Sequence, residues 1–146
     1  MIDLTPDRFQ GRWHVSRRLE DALGAQSGHF EGEATLVPSD MGLRYSEHGT
    51  LTLDQGGAFR AERVYCWQFI DGRVEVRFDD GRAFHSFGAN GLGTDHPCGD
   101  DHYRVRYDFT DWPAWRARWT VTGPRKDYVS DTTFMPLPLR SGAERA

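Results

Sequence analysis

The chain has 146 residues, of which 27% are charged and 38% apolar, and 22 Asp and Glu against 18 Lys and Arg give a formal net charge of -4. That length fits one domain, and the mild acidity excludes the face-wide cationic excess by which a nucleic-acid binder displaces phosphate counterions. Five Trp, five Tyr and nine Phe supply the burial capacity that a lean aliphatic content lacks.

Thr5 can cap and Pro6 suits a first helical position, so the start predicts a short helical turn that delivers Phe9 and Gly11 to a first strand. Beyond it, alternation of period two dominates, and no long stretch shows the i, i+3, i+4 apolar repeat of a core-facing helix. Strand one, near 12–20, sets Trp13, Val15, Arg17 and Leu19 on one face. Strand two, near 29–37, points Phe30, Gly32, Ala34 and Leu36 one way, and strand three, near 43–53, aligns Leu43, Tyr45, Glu47, Gly49, Leu51 and Leu53. Asp54-Gln55-Gly56-Gly57 signals a hairpin into strand four, 59–69, with Phe59, Ala61, Arg63, Tyr65, Trp67 and Phe69 on one face.

Asp71-Gly72 and Asp79-Asp80-Gly81 flank a short fifth strand carrying Val74, Val76 and Phe78. In the sixth, about Arg82 to Phe87, either Phe84 or the pair His85 and Phe87 faces inward. Residues 88–101, rich in Gly, Pro and Asp, read as the one long loop. Strand seven opposes Tyr103, Val105, Tyr107 and Phe109 to His102, Arg104, Arg106 and Asp108. Strand eight opposes Trp115, Ala117, Trp119 and Val121 to Arg116 and Arg118, and a ninth runs near Tyr128 to Met135. The Pro-spaced tail 136–146 has nothing to pack with, which leaves a single domain over 1–135.

Eight to ten antiparallel strands in sequence order predict an all-β up-and-down meander closed into a barrel, whose interior can hold one small ligand. Inward Gly32, Ala34, Gly49, Ala61 and Ala117 leave room for it. Phe9-Gln10-Gly11-Arg12-Trp13 resembles the opening of lipocalin-like and wider calycin-like barrels, a short turn and then Gly-x-Trp on strand one. That resemblance implies structural barrel closure by Gly11 and Trp13, with a basic side chain packed across the Trp; Arg125 is the first candidate and Arg118 the second. The whole chain, with His-Pro-Cys-Gly-Asp at 96–100 and Gly-Pro-Arg-Lys-Asp-Tyr at 123–128, is similar to an uncharacterised family classed only as a domain of unknown function. Unlike in typical lipocalins, no secretory signal, no disulfide pair tying down the C-terminus and no helix after the last strand is expected from this sequence.

Met1 to Thr5 contains no basic or apolar leader pattern, and no 18 apolar residues run together, so a cytoplasmic, non-membrane protein with Cys66 and Cys98 as thiols is expected. Charges on apolar faces are the sharpest functional signal. Arg17, Glu47, Arg63 and His85 cannot sit alone in a dry core, because an unpaired buried charge costs several kcal/mol against a domain stability of roughly 5 to 15. One outcome is a Glu47 to Arg63 bridge across neighbouring strands, with Arg17 on backbone carbonyls or water. A second is a polar end to an aromatic cavity, where Arg17 or Arg63 grips an acidic head group while Phe30, Tyr45, Tyr65 and Trp67 hold an apolar part. A bulge at Gly49, turning Glu47 outward, is the third.

His96, Cys98, Asp100, Asp101 and His102 are metal-ligand types, but their spacing fits no standard zinc motif, and neither metal nor cofactor is expected. A tight turn capped by a carboxylate, or an acid/base pair of His85 and His96 at the mouth, accommodates them instead. Lys126 and Tyr128 lie on a turn with Arg125 and could hold a carboxylate or phosphate. The expected ligand set is Arg17, Tyr45, Glu47, Arg63, Tyr65, Trp67, His85, His96, Tyr103, Lys126 and Tyr128. Its expected partner is one small, partly apolar molecule with an acidic or polar group. Alternatives are a small lyase- or isomerase-type enzyme in the same cavity, and haem or metal held by His85, His96 or His102. Outward Arg104, Arg106, Arg116 and Arg118 form a charge ladder or anchor a homodimer.

Overall fold

Pro6 starts a single helical turn, α1 (Pro6–Phe9), after Thr5 in an extended N-cap conformation that makes no side-chain cap. In the computed structural model, residues 2–24, 26–93 and 96–138 are described, with backbone alone at 96–98. After α1 come β1 (Gly11–Asp21), β2 (Gln26–Ser39), β3 (Gly42–Leu53), β4 (Ala58–Ile70) and β5 (Arg73–Phe78). These are followed by β6 (Ala83–Gly88), β7 (His96–Cys98), β8 (Asp101–Asp108), β9 (Trp115–Gly123) and β10 (Lys126–Pro136).

All pairings are antiparallel, and β10 returns to β1, so the sheet runs β6-β5-β4-β3-β2-β1-β10-β9-β8-β7. The predicted meander is therefore the architecture. Its two ends meet through the segment after β6: Gly93 donates to the Val105 carbonyl at 3.2 Å, Tyr107 donates to the Gly91 carbonyl at 2.7 Å, and Leu92 bridges Arg106. The barrel is thus nearly closed. Gly91 permits this seam, having φ +85° and no side chain where a Cβ would strike the Tyr107 carbonyl. The expected long loop over 88–101 is instead this closing seam and β7. Sequence periodicity could not show it, because the seam is built from backbone contacts to a distant strand. Thr94 and Asp95 lie outside the described residues.

Either Phe84 or His85 with Phe87 was expected to face inward on β6, and the structure turns all three in, each at most 5% exposed. The register shifts beside Val76 and Arg77: His85 pairs with Val76, Ala83 pairs with Arg77, and Phe84 is the extra residue of a bulge. No such shift occurs in β3, where Glu47 stays opposite Ala34 and Arg63 and is 3% exposed. At the other end of the domain β10 continues to Pro136, Leu137 donates to the Arg12 carbonyl at 2.9 Å, and Arg12 donates to the Pro138 carbonyl at 2.7 Å. The expected tail thus begins as part of the sheet, and 139–146 lie outside the described residues.

Rings fill the base. Phe9 is fully buried, with Trp112 at 5.1 Å, Trp67 at 5.4 Å and Trp115 at 5.6 Å between centroids, all edge-on. Trp13 donates from Nε1 to the Phe9 carbonyl at 2.9 Å, which pins α1 across that end. Among the described residues no helix is long and apolar enough to cross a membrane.

Candidate functional site

Halfway up the barrel the aromatic core is interrupted by charge. On β2 and β3, Gly32 and Gly49 face each other, and a Cβ on Gly49 would lie 2.6 Å from the Gly32 Cα and 2.7 Å from the Phe30 ring. Both glycines are therefore covered by the Phe30 ring, and the room expected above them is occupied. The Arg17 guanidinium lies over that ring, 5.1 Å from its centroid. From there Arg17 reaches across β2 to donate from Nη1 and Nη2 to the two oxygens of Glu47, each at 2.8 Å, and from Nε to Thr132 Oγ1 at 2.8 Å. Tyr45 donates to the same carboxylate. Arg63, opposite Glu47 in the sheet, is only 3.9 Å away through Nε, one-third exposed, and lies over the Trp119 ring at 5.3 Å.

Glu47 thus pairs chiefly with Arg17, not Arg63, and Arg17 is bound to the side chains of Glu47 and Thr132 rather than to backbone carbonyls. Planar fork geometry decides this: Arg17 meets both carboxylate oxygens at once, whereas Arg63 stays 3.9 Å from one of them. Burial alone would raise the Glu47 pKa, but the hydrogen bonds and charge of Arg17, with help from Arg63 and Tyr45, hold it below its ordinary value. Burial likewise opposes the charge on Arg17, and Glu47 outweighs it. Tyr45, Tyr65 and Tyr107 are pushed up, first by burial, and stay neutral phenols. Two guanidiniums therefore face one carboxylate, leaving the centre with one excess positive charge.

Arg17, Tyr45, Glu47, Arg63, Tyr65, Trp67 and His85 line one inner cavity, so seven of the expected ligand residues come together. Tyr107, Trp115, Trp119 and Thr132 join them. Sequence reasoning missed these four as site residues, although the inward faces of strands seven and eight carry the three aromatic ones. Thr132 alternates with Ser130 and Phe134 on the buried face of β10, a signal that was available. His85 Nε2 lies 2.9 Å from the Tyr107 hydroxyl. Space for the centres of water molecules in this cavity amounts to about 20 Å³, enough for one or two waters. Trp115, 1% exposed, leaves its indole N–H without an acceptor among the described residues.

The remaining expected residues lie elsewhere. Tyr103, Lys126 and Tyr128 form a rim group toward the β9–β10 turn: Lys126 donates to the Tyr103 hydroxyl at 3.3 Å and pairs with Asp101 at 3.2 Å. Those two partners raise the Lys126 pKa, while burial and Tyr103 push Tyr128 up to about 12. Both stay protonated near neutrality, the wrong state for an amine nucleophile or a phenolate base. Arg125 is exposed in the β9–β10 turn, whereas Trp13 faces Pro136 at the opposite end of β10. That separation is roughly 30 Å or more at strand rise, so Arg125 does not reach Trp13. Trp112 and Trp115 cover Trp13 instead, at 5.8 and 5.7 Å, and Arg118 pairs outward with Asp131 at 3.5 Å. The His96 side chain lies outside the described residues. Exposed His102 stands apart from His85, and no group of three or more His, Cys, Asp or Glu that could hold a metal occurs among the described residues.

The fold is shared with an S-type phycobiliprotein lyase from Guillardia theta, at a TM-score of 0.63 and 9% identity over 92% of each chain. A de novo designed fluorescence-activating β-barrel matches at 0.43 and 12% identity, covering 94% of this chain and all of that one. No curated protein matches the sequence. A family model spans residues 9–136, nearly the whole barrel, and the chain belongs to that family, a family of unknown function designated DUF6314.

Proposed function

We propose that this barrel binds one small, partly apolar molecule whose acidic or polar group docks at the Arg17, Glu47 and Arg63 centre. The observation that carries the proposal is the charge imbalance: Glu47 is already satisfied by a bidentate Arg17, so Arg63 is a second cation with only a distant share of that carboxylate. In a low-dielectric aromatic setting such a cation favours an anionic partner. Binding is favoured over acid/base chemistry because Glu47 is held ionised and the surrounding tyrosines neutral, the opposite of groups poised to exchange protons near neutrality.

Arg63→Met tests the anchor. Small acids that stabilise the wild-type protein against heat are expected to lose most of that stabilisation in the variant, since ligand-linked stability follows affinity. Unchanged ligand-induced shifts in Arg63→Met would remove the centre as the docking point.

A further inference from the structure

Above the charged centre lies a second chamber, distinct from the inner cavity. Leu19, Phe30, Leu51 and Ala61 wall it, and Arg17, Glu47 and Arg63 form its floor. Leu19, Leu51 and Ala61 are only half-buried, so the chamber opens to solvent. It has about 80 Å³ for the centres of waters, room for roughly six, whereas the chamber beneath the floor takes one or two. We infer that this outer chamber takes an aliphatic monocarboxylate with a compact body, head group down on Arg63 and carbon chain between Leu19, Leu51 and Ala61. The inference rests on the ligand-binding reading above and specifies its site and chemical class.

Three features select that class. Arg17 commits three of its N–H groups to Glu47 and Thr132 and is only 7% exposed, so the one-third exposed Arg63, bonded to the neutral Tyr65, is the guanidinium placed to turn to a new carboxylate. One negative charge neutralises the floor, whereas a dianion would add repulsion from Glu47 and a cation would face two arginines. The walls contributed by Leu19, Leu51 and Ala61 are aliphatic, and the aromatic cavity below is too full to admit a planar ring system. Tail-down binding would place the head group at the mouth, away from both guanidiniums.

The test is calorimetric titration of the full chain with hexanoate, 1-hexanol and hexylamine, repeated on Arg63→Met and on Leu51→Trp, which fills the chamber while keeping the cation. Thermal unfolding confirms that each variant folds. Hexanoate is expected to bind one to one, with the alcohol and amine at least about tenfold weaker and both variants weakened by about tenfold or more. If hexanol binds as tightly as hexanoate, or if Leu51→Trp leaves hexanoate affinity unchanged, the outer chamber and its acid class are overturned while the barrel remains a binder. If no probe binds and the Trp fluorescence of the protein also ignores a panel of aromatic and aliphatic acids, the binding reading falls as well.

Discussion

Glu47 carries the largest single-residue consequence, because Arg17, Tyr45 and Arg63 all converge on its carboxylate in a site only 3% exposed. Glu47→Gln is expected to destabilise the fold by about 3–5 kcal/mol near neutrality, measured by chemical denaturation, since it leaves Arg17 buried without its counter-charge. Replacing both partners, Arg17→Met with Glu47→Met, should cost less than either single change, because the only charge left at the centre is Arg63, which is one-third exposed to water. The pH dependence has a definite sign. Glu47 has a folded pKa below its ordinary value of 4.5, so its stabilisation is complete above that value and is lost as pH falls through the folded pKa. The gap between wild type and Glu47→Gln should therefore narrow as the solution is acidified below pH 4.5, and a gap that widened would contradict an ionised Glu47. That Glu47 would need a partner was legible from the sequence, as a charge among rings; which arginine it takes was not. Register alone favours Arg63, directly opposite, and the pairing with Arg17 depends on a side chain crossing an intervening strand.

Strands β2 and β3 make that crossing possible. Two glycines with no side chains let Phe30 lie flat, Phe30 supports the Arg17 guanidinium, and Arg17 then meets Glu47. Gly49→Ala should therefore do more than crowd the sheet. Its Cβ would strike the Glu31 carbonyl and the Gly32 Cα of the facing strand and sit 2.7 Å from the Phe30 ring, so both strand and ring must shift, and a loss of about 1–3 kcal/mol in urea denaturation is expected. An unchanged midpoint would contradict the close approach of β2, β3 and the Phe30 ring at this point. Periodicity disclosed nine of these strands because alternation is local. It could not disclose β7, three residues held at the seam, or the extra residue at Phe84, because a bulge leaves composition intact and changes only the count.

At the scale of the whole molecule, closure separates two ends with different roles. The base is packed by Phe9, Trp13, Trp112 and Trp115 beneath α1, while the opposite end carries the half-buried aliphatic residues of the outer chamber. Inward faces read from sequence gave the correct wall but too large a lumen, since side chains that point inward also fill the space they enclose. What survives of the expected cavity is a charged floor between a nearly full aromatic chamber and a roomier, open aliphatic one. The most direct measurement is native mass spectrometry of wild type and Arg63→Met purified side by side from the protein's own host. One equivalent of a small acid on the wild-type chain, absent from Arg63→Met, is the expected result; an adduct carried equally by both chains would contradict Arg63 as the anchor.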